Sequence, residues 1–294
     1  MTAPGARSRA DIGIGGITVG VRSSNEAFLQ LLEDRYAGFI ERSALPDYEF
    51  DVELIPPAEG SPGDVELILP AEGSADDVEP VPPAQGSPDD DVRVYRSNGR
   101  WQLERGDFRA EWDPAARRGR IRQSANPYSI DTVLRILHTL VLAREGGFLL
   151  HAASAVRKGK AYVFAGVSGA GKTTLSRLAP PDARVLSDEI SYVRKEAGGY
   201  YAYGTPFAGE LARVGENLRA PLATVYLLNQ GTENGISGLG KADAARGILS
   251  NTLFFAADVE LVQAVFLSAL DLVEHVPVRR LTFLPEPGIW ELIE

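Results

Sequence analysis

The sequence predicts an α/β fold in two parts, a small α+β N-terminal domain over residues 1–127 and a larger α/β domain over residues 128–294. Short runs of alternating apolar and polar residues around one helix predict the first part. The second part alternates apolar strands with helices, which is typical of α/β domains. An acidic repeat interrupts the first part and predicts an insertion without a core of its own.

The N-terminal domain is predicted from its hydrophobic periodicity. The run "ITVGVRS" predicts a strand, and "NEAFLQLLEDRYAGFI" predicts an amphipathic helix whose N-cap is Ser24 or Asn25. The run "YEFDVELI" alternates as a half-buried strand does. Residues 91–123 predict three antiparallel strands with Asn98-Gly99 in a tight turn. No catalytic group of residues is apparent in this part.

Residues 51–90 contain the repeats "DVELIPPAEGSPG", "DVELILPAEGSAD" and "DVEPVPPAQGSPD". Their composition predicts disorder, because too little apolar surface is available to offset the entropy of ordering. A repeat-expanded surface loop is the favoured interpretation, and an acidic docking tail is the alternative. The interval between Arg42 and Arg93 holds fourteen Asp and Glu and no Lys or Arg, so the net charge of −10 becomes about +4 without it. The net charge therefore describes this segment and says little about partners.

The composition excludes several kinds of site. The chain has no Cys, which excludes disulfides, zinc–thiolate sites and thiol catalysis, and its three His argue against a multi-histidine metal site. No apolar run reaches the roughly 20 residues of a membrane span, and the N-terminus lacks the apolar centre of a secretory signal. We expect a cytoplasmic protein without a membrane or nucleic-acid partner, and the sequence leaves a homo-oligomer open.

The larger domain opens with a predicted helix. Ser129 is the predicted N-cap of "IDTVLRILHTLVLARE", whose apolar residues recur at helical spacing, and Gly146-Gly147 ends it. His138 falls on the same face as Asp131 and Arg135, so we expect it to lie at the surface in solvent.

The stretch "FAGVSGAGKTTLS" contains the pattern G-x-x-x-x-G-K-[ST]. It stands between the apolar strand "AYVF" and a short helix, which is the context that a phosphate-binding loop (P-loop) needs, because backbone N–H groups then face the phosphates. Lys172 is expected to contact the β- and γ-phosphates of ATP, and Thr173 to ligate Mg²⁺. The residues predicted to bind the nucleotide are Gly166, Ser168, Gly169, Ala170, Gly171, Lys172, Thr173 and Thr174.

Two carboxylates follow the next strand, in "VLSDEI". Adjacent side chains at a strand end point to opposite sides, so one of Asp188 and Glu189 can hold the metal while the other orients or deprotonates an acceptor hydroxyl. The alternative is an ordinary exposed turn. The predicted metal ligands are thus Thr173, Asp188 and Glu189. His151, in the strand "LLHAAS", is either a further site residue or a core histidine.

The ordered set "LLHAAS", "GVSGAGKTT" and "VLSDEI" resembles the C-terminal catalytic domain of HPr kinase/phosphorylase, whose fold is related to phosphoenolpyruvate carboxykinase. The resemblance covers roughly residues 148–294 and implies a P-loop, phosphoenolpyruvate carboxykinase-like catalytic domain. It also implies that Asp188 is a general base toward a protein serine, that His151 assists it, and that Glu189 binds the metal. Glu189 stands where the family has Asp, and the family's glycine-rich segment for HPr recognition has no match. The chain looks closer to divergent HPr-kinase-like proteins found beside peptide-modification genes, some of which resemble kinases of a peptide serine.

We therefore expect an ATP- and Mg²⁺-dependent kinase that phosphorylates a serine of a protein or peptide, with Asp188, His151 and Lys172 as catalytic residues. A small-molecule kinase and a non-enzymatic ATP-binding regulator stay open as alternatives, because the same motifs would serve either.

The segment "YYAYGTPFAGE" and two nearby arginines have a functional and a structural interpretation each. The segment is either part of the acceptor or nucleotide pocket or a rigid loop, and the arginines either neutralise the transferred phosphoryl group or form surface ion pairs. The residues concerned are Tyr200, Tyr201, Tyr203, Thr205, Glu210, Arg213 and Arg219.

Overall fold

The structure, a computed structural model, describes residues 8–42, 45–55, 92–207 and 214–293. The protein is mixed α/β, and the described residues form two large sheets and five α-helices. The second and third acidic repeats lie outside the described residues, as do Glu210 and Arg213.

Eight strands form the N-terminal sheet. They are Ser8–Ile14 (β1), Ile17–Ser23 (β2), Ile40–Glu41 (β3), Tyr48–Leu54 (β4), Arg93–Ser97 (β5), Arg100–Arg105 (β6), Phe108–Asp113 (β7) and Arg118–Gln123 (β8). Their order is β3-β1-β2-β4-β8-β7-β6-β5, with β4 parallel to both of its neighbours. The strand predicted in "YEFDVELI" is confirmed as β4, and Asn98-Gly99 forms the β5–β6 turn. The region predicted to hold three strands holds four, because a turn at Gly106-Asp107 divides it once more.

The inner face of this sheet is apolar and packs on helix α1, Glu26–Arg35. Asn25, one of the two predicted caps, begins α1, since its side chain accepts a hydrogen bond from the N–H of Phe28 at 2.9 Å. The outer face carries arginines opposite carboxylates, such as Arg100 and Glu111 at 2.6 Å. The sheet therefore has one core face and one solvated face.

Helix α2, Pro127–Glu145, begins earlier than predicted. Its N-cap is Asn126, whose side chain accepts hydrogen bonds from the N–H groups of Tyr128 and Ser129. The predicted cap at Ser129 is wrong. Pro127 suits the first position of a helix, because its φ is fixed near the helical value and it has no N–H group that needs a partner, so the helix starts there. Gly146, with φ of 77°, ends the helix as predicted.

The environment of α2 overturns the expectation for His138. The helix contacts α1 and the second sheet, and its apolar side chains belong to one buried cluster that extends through both sheets. Polar residues in its middle, such as Asp131 and Thr139, are therefore buried as well, and His138 is 0% exposed. The prediction of a solvated surface histidine is wrong, because helical periodicity cannot show that an element is covered on both faces.

Nine strands form the second sheet. They are Gly147–Arg157 (β9), Lys160–Ala165 (β10), Ala183–Ser187 (β11), Ile190–Glu196 (β12), Gly199–Tyr203 (β13), Arg219–Gln230 (β14), Gly235–Gly238 (β15), Thr252–Leu253 (β16) and Val278–Phe283 (β17). The long strand β9 changes partners along its length: its first half pairs with β12 and β16, and its second half pairs with β10 and β11. The run "ARVLSDEISYV" is thus two strands with a turn between them, where one strand was expected. The run "GYYAY" is strand β13 where a loop was expected.

Three further helices lie in this part: Lys172–Arg177 (α3), Lys241–Ser250 (α4) and Val259–His275 (α5). Along the chain β14 is followed by β15, α4, β16, α5 and β17. Near the C-terminus Trp290 donates a hydrogen bond from Nε1 to the carbonyl of Leu175 at 3.1 Å. This contact supports α3, a helix too short to be stable without tertiary packing.

Candidate functional site

A cleft lies where strand β9 changes partners, at His151 and Ala152. On one side of β9, β10 ends opposite Ala152 and β16 begins opposite Leu150. On its other side, β11 ends opposite Ser154 and β12 begins opposite His151. The chain leaves the sheet at these points, so side chains from several loops gather at one place.

The first of these loops, residues 166–171, joins β10 to α3 and is called the glycine loop below. It is tightly wound, since a Cβ on Gly166 would lie 2.7 Å from the Cβ of Ala170. Gly169 and Gly171 have φ of 78° and 104°, in the region that favours glycine. The Nζ atom of Lys172 donates hydrogen bonds to the carbonyls of Gly166 at 2.7 Å and Val167 at 3.1 Å. The ammonium group of Lys172 thus lies within the curve of the loop.

The second feature is the turn at Asp188 and Glu189, between β11 and β12, called the acid turn below. Ser187 holds it: its Oγ accepts hydrogen bonds from the N–H of Glu189 at 3.2 Å and of Ile190 at 2.9 Å. The carbonyl of Glu189 accepts from the N–H of Ala152 at 2.8 Å. Asp188 is only 3% exposed, whereas Glu189 is half-buried. The two carboxylates therefore have different environments, as adjacent residues at a strand end should.

His151 has an exposed side chain in an otherwise buried strand segment. Its backbone is fixed on both sides, because it pairs with Ile190 and its N–H donates to the carbonyl of Asn251 at 2.7 Å. The structure thus places His151 at the surface of the cleft, and its interpretation as a core histidine is wrong.

The cleft has a volume of about 440 Å³. It brings together every residue of the predicted site except Ala170, whose side chain is buried in the glycine loop. Sequence reasoning missed Ser250 and Asn251, which close the cleft at the end of α4, because no pattern marks them. The lining residues are His151, Gly166, Val167, Ser168, Gly169, Gly171, Lys172, Thr173, Thr174, Asp188, Glu189, Ser250 and Asn251.

The donors in the cleft suit a magnesium–nucleotide pair better than a metal held by protein alone. Within the described ranges, no group of three His, Asp or Glu side chains could hold a metal ion. Mg²⁺ is normally bound by one or two carboxylates together with phosphate and water oxygens. The hydroxyl of Thr173 and the carboxylates of Asp188 and Glu189 are hard oxygen donors of that kind. The residues present therefore fit Mg²⁺ bound together with phosphates.

The described residues of the other candidate segment do not line the cleft. Thr205 is buried and donates a hydrogen bond from Oγ1 to the carbonyl of Ile190 at 2.8 Å. Tyr200 donates to Asp271 at 2.6 Å, and Tyr203 donates to Glu196. Arg219 forms an ion pair with Glu196 and lies over the ring of Tyr201. These side chains serve packing, hydrogen bonding and ion pairing, and the tyrosines do so from strand β13 and not from a loop.

A more voluminous groove, about 910 Å³, lies in the N-terminal part. Its lining includes the ion-paired Arg9 and Asp11, and none of the predicted site residues. No described helix is both long and apolar enough to cross a membrane.

Comparison with known proteins gives one family. A family model described as SynChlorMet cassette protein ScmC matches residues 124–294. No curated protein matches the chain. The matched range begins three residues before α2 and includes the whole cleft.

Proposed function

The chain belongs to the SynChlorMet cassette protein ScmC family, and we propose that it is an ATP- and Mg²⁺-dependent kinase with an HPr-kinase-like P-loop catalytic domain. It transfers the γ-phosphoryl group to a hydroxyl, that of a serine in a protein or peptide. One observation carries the proposal: the glycine loop with Lys172 and Thr173 lies in one cleft with Asp188, Glu189 and His151.

The glycine loop and Lys172 bind the triphosphate. Backbone N–H groups at the N-terminus of α3 and the ammonium group of Lys172 favour phosphate oxygens, because each offers positive charge to an anion. In the structure the ammonium group is held by two loop carbonyls. We expect it to turn toward the phosphates when they bind.

Thr173 and Glu189 would hold Mg²⁺, which leaves the carboxylate of Asp188 free to act as the base. A bound ion of this kind would supply positive charge to the phosphate oxygens and so favour transfer. Glu189 is the more accessible carboxylate, which suits a ligand shared with phosphate and water oxygens.

Asp188 takes the proton of the acceptor hydroxyl. As that oxygen forms its bond to the γ-phosphorus, the bond between the γ-phosphorus and the bridging oxygen of ADP breaks, and ADP leaves with the electron pair. The hydroxyl proton passes to the carboxylate of Asp188. His151 lines the same cleft as Asp188 and orients the acceptor hydroxyl.

The test compares the wild type with Lys172→Ala and Asp188→Asn. Matched surface controls are Lys160→Ala, in the β9–β10 region, and Asp182→Asn, whose carboxylate is ion-paired with Arg157. ATP affinity is measured by calorimetry with Mg²⁺, and phosphoryl transfer is measured as a mass shift on panels of serine peptides and of small hydroxyl compounds.

We expect Lys172→Ala to weaken ATP binding by about tenfold or more, because hydrogen bonds to charged groups contribute about 1.5–3 kcal/mol. Asp188→Asn should keep ATP binding and lower phosphoryl transfer by about 10²- to 10⁴-fold, the usual contribution of a general base. Both controls should behave as the wild type does. A wild type that does not bind ATP, or that binds it and phosphorylates no compound in either panel, would overturn the proposal.

A further inference from the structure

The wall of the cleft formed by Ser250 and Asn251 adjoins a second depression. This depression, called the α4–α5 groove, has a volume of about 560 Å³ and lies between helices α4 and α5. Ser250 lines both cavities, so the groove borders the cleft at this residue. The groove is lined by Ala242, Ala245, Arg246, Leu249, Ser250, Phe266 and Leu270.

The side-chain oxygen of Asn251 is accessible and accepts no hydrogen bond from the described residues. Its side-chain nitrogen donates to the carbonyl of Gly247 at 2.8 Å, and its backbone carbonyl accepts from His151. Within the described part of the chain, no group donates a hydrogen bond to its side-chain oxygen Oδ1. Asn251 is 9% exposed and lines the cleft. An amide oxygen in this position can accept a hydrogen bond from an O–H or N–H group of a bound molecule.

The groove suits apolar side chains. Its only charged lining residue is Arg246, which is itself ion-paired with Asp243 at 2.8 Å. Phe266 and Leu270 are 48% and 39% exposed, which is high for large apolar side chains that line a depression. A pocket of this kind, apolar with one polar group at its mouth, is typical of sites that bind an organic ligand in one orientation.

We propose that Asn251 and the α4–α5 groove bind the acceptor, and that the acceptor is a peptide with apolar side chains beside its serine. This inference rests on the proposed function. Phosphates bound at the glycine loop would leave the wall at Ser250 and Asn251 open, and an acceptor must approach the γ-phosphorus from the side opposite the leaving oxygen. Because the groove borders the cleft at Ser250, the residues next to the acceptor serine would lie against the groove. A small metabolite would fill the cleft and leave the groove empty.

The test uses serine-centred peptide libraries in which each neighbouring position carries an apolar, acidic or basic residue. The groove variant combines Phe266→Ser and Leu270→Ser. Its matched control combines Val262→Ser and Leu267→Ser, two residues of the same helix that are 49% and 55% exposed and do not line the groove. Asn251→Leu tests the polar contact. ATP affinity and the oligomeric state are measured for every variant.

The wild type should prefer an apolar residue over a charged one by about tenfold or more at one position at least, the usual discrimination of an apolar pocket. The groove variant should lose this preference, and the control should keep it. Asn251→Leu should lower kcat/KM for every peptide. ATP affinity should be unchanged in all variants.

Three results would overturn this inference while leaving the kinase proposal standing. They are phosphorylation of small compounds only, phosphorylation of peptides without an apolar preference, and equal losses in the groove variant and its control. Equal losses together with a change in oligomeric state would identify the exposed face of α5 as a contact between copies of the chain. A wild type that binds no ATP, or transfers phosphate to nothing, overturns the proposed function and this inference with it.

Discussion

His138 is a titratable residue in an environment that opposes its charged form. Burial, together with the nearby charge of Arg194, lowers the pKa of His138 to about 3. The Nδ1 atom faces the hydroxyl of Tyr192 at 3.4 Å, and Nε2 has no hydrogen-bond partner among the described residues. The folded protein therefore favours the neutral form of the His138 ring.

This burial predicts that the free energy of unfolding falls as the pH is lowered. Between pH 6.5 and pH 3 the unfolded chain binds a proton at His138 and the folded chain does not, so stability falls as the pH falls. The loss is about 1.4 kcal/mol per pH unit. His138→Gln should flatten the urea-unfolding free energy between pH 7 and pH 5, measured relative to wild type. His275→Gln, at an exposed histidine, should keep the slope, and an unchanged slope in His138→Gln would refute the prediction.

Gly171 is the residue of the glycine loop that is least replaceable. A Cβ there would lie 2.4 Å from Cζ of Phe283, a buried ring, and φ is 104°. We expect Gly171→Ala to shift the loop and weaken ATP binding by about tenfold or more, because each hydrogen bond to a charged phosphate contributes about 1.5–3 kcal/mol. Gly159→Ala is the control, since Gly159 also has a positive φ but has open space around it. Equal losses of ATP affinity in both variants would show that backbone strain, and not the loop, is the cause.

At the scale of elements, the acid turn depends on one buried hydroxyl. Ser187→Ala leaves the N–H groups of Glu189 and Ile190 without their acceptor, which costs about 1–3 kcal/mol for each buried group. We expect the turn to loosen and Mg²⁺ to strengthen ATP binding less than it does in the wild type. Calorimetry measures this as the ratio of the ATP affinities with Mg²⁺ and with chelator.

Two variants control this prediction. Ser187→Thr keeps the hydroxyl and should restore the Mg²⁺ response. Ser191→Ala removes another buried hydroxyl, which donates to the carbonyl of Ala152 at 2.8 Å, and should lower stability without changing that response. If Ser187→Ala responds to Mg²⁺ as wild type does, the acid turn does not depend on Ser187.

At the scale of the whole molecule, the acidic insertion connects two distant strands of one sheet. Register pairs lead from Leu54 through Gln123 and Phe108 to Arg105, whose neighbour Glu104 pairs with Arg93. The C-terminal end of β4 and the N-terminal end of β5 thus lie on the same side of the sheet, where the strands end. They are four strand spacings or about 19 Å apart. A Gly/Ser linker of about ten residues, which reaches about 33 Å when extended, can replace residues 56–91.

We expect this replacement to leave the melting temperature and the ATP affinity at wild-type values, because a surface loop adds little to stability. Calorimetry measures both. A fall in either would favour a role for the acidic segment in the fold or in the site, and would contradict its interpretation as a loop insertion.

The sequence predicted elements well where the signal is local. Strands β4 and β10, the cap at Asn25 and the end of α2 at Gly146 follow from hydrophobic pattern, capping chemistry and the left-handed conformation of glycine. The errors have a common cause. The surface position predicted for His138 and the loop predicted at "GYYAY" rest on local pattern, whereas burial and strand pairing depend on which elements lie alongside.

The sequence by itself determined the chemical groups of the candidate site, because a phosphate-binding loop and a carboxylate pair must each be continuous in the chain. Only the tertiary structure decided how they meet. The change of partners along β9 places His151 between the glycine loop and the acid turn, and brings Ser250 and Asn251 from a distant helix end to complete the cleft. Strand pairing sets these contacts between residues far apart in sequence, and pairing depends on the whole sheet and not on any one segment.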